Sequence, residues 1–98
     1  MDLKLTYTQR ALKDLAEIID HIADDDAEAA SRFGSSLLDH LQLLTRFPRM
    51  GTDVPQRPGV RKLFHSPIVI YYRVHGIRGV VDILHLRHAA RKPPRSLR

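Results

Sequence analysis

The chain has 98 residues and a mass of 11.2 kDa, room for one small domain and too little for two. Its 43% hydrophobic and 28% charged content excludes wholesale disorder, and with no cysteine it has no disulfide framework, thiolate metal site or cysteine nucleophile. The net charge of +5 is unevenly spread, with six Lys/Arg against nine Asp/Glu in residues 1–50 and ten against two in residues 51–98, so the second half suits an anionic partner: nucleic acid, an acidic protein surface or an acidic peptide.

In chain order, Leu3 to Tyr7 alternates apolar and polar residues and predicts a first strand. Thr8 follows as an N-cap, its hydroxyl placed to accept from an orphaned amide of the first helical turn. Leu12, Leu15, Ile18, Ile19 and Ile22 then recur at helical spacing, with Asp14, Glu17, Asp20 and His21 on the opposite side. The run Asp24-Asp25-Asp26 ends this helix and caps a second one, whose apolar face is Ala30, Phe33, Leu37, Leu41 and Leu44, widened by Leu38. The short link makes the two helices an antiparallel hairpin. Pro48 stops the second helix at Phe47.

Pro48 to Gly59, with three prolines and two glycines, reads as a loop without an element of its own. Three β-rich runs follow, Val60 to His65, Ile68 to Val74 and Val80 to His88, joined by Ser66-Pro67 and by residues 75–79 into an antiparallel meander. The continuously apolar middle run belongs at the sheet centre. The expected fold is a two-layer α+β domain of order β-α-α-β-β-β, its helical hairpin packed on one face of a mainly antiparallel four-stranded sheet. It occupies residues 1–91, and residues 92–98 form a basic tail broken by Pro93 and Pro94. No stretch approaches the ~20 apolar residues of a membrane span, and the amino terminus lacks the layout of a signal peptide, so a cytoplasmic location is expected.

Strict alternation sorts the strand residues into faces. Ile68, Ile70, Tyr72 and Val74 fall together with the helices above them, and Val69, Tyr71 and Arg73 lie opposite. In the last run Leu84 and Leu86 share one face, leaving Val81, Ile83, His85 and Arg87 on the other. Tyr71, Arg73, His85 and Arg87 thus converge on the uncovered face, with Arg61 or Lys62 beside them, a cationic and partly aromatic surface suited to phosphates or carboxylates. His85 and His88, three apart, point to opposite faces and do not make a shared metal site, and no metal or other cofactor is expected. The serines lack a nucleophile-elbow context, and there is no Gly-rich phosphate loop.

Four segments carry a family resemblance. Thr8-Gln9-Arg10-Ala11-Leu12-Lys13-Asp14-Leu15 opens the first helix, Phe47-Pro48-Arg49-Met50-Gly51 follows the second, Ile70-Tyr71-Tyr72-Arg73-Val74 forms the middle of the meander, and Ile83-Leu84-His85-Leu86-Arg87-His88 closes it. In this order, over residues 3–91, they resemble the RelE/ParE superfamily of bacterial toxins from type II toxin–antitoxin pairs. The resemblance implies a small toxin held inactive in a hetero-oligomer by a cognate antitoxin, which lays an acidic helix or strand over the basic sheet. RelE-like members cleave messenger RNA on the ribosome without metal, using an acid, a base and Arg/Lys groups for the phosphorane charge. ParE-like members poison DNA gyrase by protein binding.

The chain departs from the nuclease pattern. The central strand starts Ser66-Pro67-Ile68-Val69 with no Arg, Ala89-Ala90 stands where a second Arg is expected, and no Tyr follows Tyr72. Its strand motifs are closer to the ParE branch, for which the resemblance implies no catalytic residues. Target or antitoxin binding would fall to Arg61, Lys62, Tyr71, Arg73, His85, Arg87, His88 and Arg91. In the ribonuclease alternative, Arg73, His85, Arg87 and His88 would supply the acid–base set.

Overall fold

The computed structural model describes residues 2–90, and Arg91 and the tail at 92–98 lie outside them. Thr8 caps the first helix as its chemistry requires, its side chain accepting from the Ala11 amide at 3.0 Å. Strand β1 (Lys4–Tyr7) leads through it into α1 (Gln9–Asp25), and Asp26 both ends α1 and caps α2 (Ala27–Gln42) by accepting from Ala29 at 3.1 Å. The second helix stops earlier than Pro48 alone would dictate, tightening at Leu43–Thr45 into one 3₁₀ turn. There the Thr45 hydroxyl donates to the Gln42 carbonyl at 2.7 Å, and the Thr45 carbonyl accepts from Leu3 at 2.9 Å, tying the turn to the entry of β1.

The remaining strands are β2 (Thr52–Asp53), β3 (Val60–His65), β4 (Ile68–His75) and β5 (Val80–His88). They form one sheet in the order β1-β5-β4-β3-β2, so β4 is central as its apolar run requires. The sheet has five strands where alternation predicts four. The extra one, β2, is a two-residue edge pairing Thr52 and Asp53 with Lys62 and Arg61 inside the proline-rich loop, too short to leave a periodic signal. β1 runs parallel to β5 and every other pairing is antiparallel.

The helical hairpin covers one face of the sheet. Leu37, Leu41 and Leu44 pack there on Leu63, Ile70, Tyr72, Val81, Ile83 and Leu86. Two residues of the expected helical stripes are misplaced: Leu12 is 52% exposed and Leu38 48%. Ala11 takes the buried place instead, wholly enclosed in the main core.

The larger difference lies in β5. Tyr72 pairs with Ile83 but Tyr71 pairs with His85, leaving Leu84 as the extra residue of a β-bulge. Val81 and Ile83 therefore point under the helices, where both are fully buried, and not to the side of His85 and Arg87. Leu84 packs on the outer face with Val54, Val60, Val69 and Tyr71 instead of joining Leu86. Thr8 holds the bulge, its amide donating to the Ile83 carbonyl at 3.0 Å and its hydroxyl to the Leu84 carbonyl at 2.8 Å.

A clasp closes the opposite side. The buried Tyr72 hydroxyl donates to the Pro48 carbonyl at 2.7 Å and accepts from the Gly51 amide at 3.0 Å.

Candidate functional site

The antiparallel register sets the outer face in rows. Phe64, Val69 and Arg87 form one, Lys62, Tyr71 and His85 the next, and Val60, Arg73 and Asp82 the third. Lys62, Tyr71, Arg73, His85 and Arg87 are thus brought to one face. Arg61 is not: it pairs with Tyr72, on the helix side, and spends its guanidinium on Asp53 at 2.8 Å and on the carbonyls of Arg49 and Gly51 at 3.2 and 2.8 Å. His88 pairs with Ile68 and also lies on the helix side. Arg91 falls outside the described residues.

Tyr71 and His85 are buried, at 2% and 5% exposure, beneath the surface expected to display them. Tyr71 packs in the satellite core with Val54, Val60 and Leu84, and His85 stacks on it at 5.8 Å with the two planes 18° apart. What reaches solvent is Lys62, parts of Arg73 and Arg87, and the apolar side chains Phe64 and Met50. Arg73 leans on the loop before β3, so close to Gly59 that an added Cβ there would lie 2.7 Å from its guanidinium.

Asp14 is the residue that helical periodicity misassigns. Placed on the solvent side by pattern, it turns toward β5: its Oδ2 lies 2.5 Å from His85 Nδ1 and accepts the Leu86 amide at 3.1 Å. It thereby satisfies an amide on the edge of β5 that β1, which pairs only as far as Ile83, leaves open. A signal existed in its spacing, three residues after Ala11 and four before Ile18, on the flank of the buried stripe. Burial pushes the His85 pKa below the ordinary histidine value, against the opposing pull of the Asp14 carboxylate. With Asp14 as its acceptor, His85 carries its proton on Nδ1.

Two grooves flank this arrangement. One, of about 600 Å³, runs between α1 and the open edge of β5, with Arg10, His21, Arg87 and His88 among its walls and Ile18, Phe33 and Ile68 on its floor. The other, of about 330 Å³, lies on the outer face between Met50, Lys62, Phe64, Val69 and Arg87. Arg87 belongs to both. A histidine pair, His40 of α2 and His65 of β3, joins helix to sheet with their Nδ1 atoms 2.8 Å apart and the Phe33 ring edge-on to His65. Burial and the neighbouring His40 both lower the His65 pKa. Among the described residues, no group of three or more His, Cys, Asp or Glu is placed to hold a metal ion.

Comparison with known proteins agrees with this fold and its motifs. The family described as the ParE toxin of the type II toxin–antitoxin system parDE matches residues 5–93. The chain belongs to that family. Among solved structures, this ParE-family chain is similar to one of a chromosomal ParDE toxin–antitoxin system from P. aeruginosa, with 27% identity and a TM-score of 0.74 over 88% of this chain and 95% of that one. It shares its fold with a chain of the RelBE2 toxin–antitoxin complex of Mycobacterium tuberculosis, 19% identical with a TM-score of 0.69 over 93% and 95% of the two chains. The isolated E. coli RelE toxin is likewise 19% identical, with a TM-score of 0.60 over 92% and 87%. None of the curated proteins compared with the chain matches it. Among the described residues, no helix is long and apolar enough to cross a membrane.

Proposed function

We propose that this ParE-family toxin acts in the cytoplasm by binding DNA gyrase, without bond-making chemistry of its own, and that a cognate antitoxin neutralises it by laying an acidic helix or strand over the same cationic face. The observation that carries the reading is the division of labour on the outer face. His85 and Tyr71, the side chains able to move a proton, are buried and stacked on each other, while Lys62, Arg73 and Arg87 stand at the surface beside exposed Phe64. Cations around an apolar patch suit recognition of an acidic protein surface, where charge steers encounter and desolvated anchors hold it. His88 points from the opposite face of β5 and meets His85 only along the groove beside α1. The solved relative from P. aeruginosa is a ParDE system, which supports both the branch and the antitoxin partner.

The test is a gyrase supercoiling assay with the purified chain. Inhibition or trapped cleaved DNA is expected, weakened by Arg87→Ala and by Arg73→Ala. Cleavage of ribosome-bound message by the wild type, lost in the same variants, would replace this reading with the ribonuclease one.

A further inference from the structure

We propose that Asp14 is a positioning residue for the binding surface: acting from α1 through His85 and Tyr71, it fixes the guanidinium of Arg87 where a partner meets it. The inference rests on the reading that Arg87 contacts the partner. Each link is visible in the geometry. Asp14 Oδ2 is pinned by the Leu86 amide at 3.1 Å and holds His85 Nδ1 at 2.5 Å, which sets the plane of the imidazole. The imidazole stacks on Tyr71, 18° from parallel, and so sets the plane of the phenol. The Tyr71 hydroxyl accepts from Arg87 Nε at 2.8 Å, with the guanidinium carbon 5.6 Å from the ring centre. Arg87 Nη1 is held in turn by the carbonyls of His88 and Ala89 at 3.2 and 3.3 Å.

A second observation points the same way. His85 Nε2 is buried and has no hydrogen-bond partner among the described residues. A buried polar atom left unsatisfied is a cost that an apolar side chain would avoid. Histidine therefore occupies this place for its other nitrogen and its flat ring, the two features the relay uses. An arginine free to rotate loses much side-chain entropy on binding, whereas one already fixed loses little. Arg87 lies where the two grooves meet, so fixing it there serves a partner entering either.

The experiment uses the ¹⁵N-labelled full-length chain. In the wild type, the His85 ring-nitrogen shifts should report the proton on Nδ1, and the Arg87 Nε–H should exchange slowly with solvent. Asp14→Ala should move the proton to Nε2, speed Arg87 Nε–H exchange about tenfold and raise the concentration for half-inhibition of gyrase about tenfold, the factor one net hydrogen bond supplies. Asp14→Asn, which keeps an acceptor oxygen, should restore the Nδ1 tautomer and most of the protection. Tyr71→Phe should free Arg87 Nε–H and leave the His85 tautomer in place, which orders the relay even if Asp14→Ala does not fold. Unchanged Arg87 exchange in a folded Asp14→Ala chain overturns the proposal, as does lost inhibition with both spectroscopic signatures intact. If the wild type shows the signatures but does not inhibit gyrase, the gyrase reading falls and the positioning relay stands.

Discussion

Replacing Gly51 by alanine tests the clasp between the proline-rich loop and the sheet. A Cβ added there would lie 2.4 Å from the Lys62 carbonyl oxygen and 2.7 Å from the Tyr72 hydroxyl. Neither neighbour yields easily: the first is backbone in β3, and the second is a buried side chain bonded to Pro48. The loop must shift, weakening the bond from the Gly51 amide to Tyr72 and the bond from Arg61 to the Gly51 carbonyl. Overpacking costs about 1–3 kcal/mol and each weakened hydrogen bond up to about 1, so we expect a loss of about 2–4 kcal/mol. For a domain of this size that lowers the melting temperature by roughly 10–25 °C. Gly76 and Gly79 are the controls, since an added Cβ meets nothing within 4 Å at either. Gly76→Ala should stay within about 0.5 kcal/mol of the wild type, and Gly79→Ala, at φ +67°, should cost about 1–2 kcal/mol for its left-handed backbone. Urea denaturation of the three variants reads the difference. A Gly51→Ala chain as stable as Gly76→Ala would refute the close-approach argument.

The other end of the clasp predicts that Tyr72→Phe loses about 1–3 kcal/mol, measured the same way, because its hydroxyl serves the Pro48 carbonyl and the Gly51 amide at once. Leu41→Ala, at a wholly buried position, should cost about 2–5 kcal/mol in thermal unfolding. Thr8→Ala removes a helix cap and the bond to Leu84; a loss of about 1–2 kcal/mol is expected in the same assay. Stability should also fall as the pH drops below the ordinary histidine pKa of about 6.5. His65 and His85 both have folded pKa values below their unfolded ones, so the unfolded chain takes up more protons over that range and their contribution, complete above it, is lost toward the folded values. Denaturation midpoints from pH 8 to pH 5 check this, and a flat profile would contradict it.

The helices, the meander and its central strand were legible because their apolar residues recur at the periods of helix and strand. Strand β2 was not, being two residues long inside a proline-rich loop. The glycine of the Phe47–Gly51 segment proved to have a physical cause, the approach of the Tyr72 hydroxyl and the Lys62 carbonyl. Of the site, Tyr71, Arg73, His85 and Arg87 were sorted to the correct face of the sheet. Their exposure was not legible, because Tyr71 is covered partly by Val54 from the loop and Leu84 from the bulge, and His85 is held against Asp14 of α1 and Tyr71. Arg61 was lost to a choice between neighbours that only register decides. Asp14 was hidden because a carboxylate on a helix reads as solvent-facing until the open edge of a strand is placed beside it.

The bulge at Leu84 also bears on how this toxin's relatives can be aligned. Ile83 turns inward and His85 outward on either side of one surplus residue. A related strand lacking that residue would keep the same inward and outward order without any bulge. Length at this point is thus neutral to the face on which the arginine stands. A gap opened opposite Leu84, and not in the neighbouring turn, keeps the residues before and after the bulge each matched to a counterpart on the same face of the sheet.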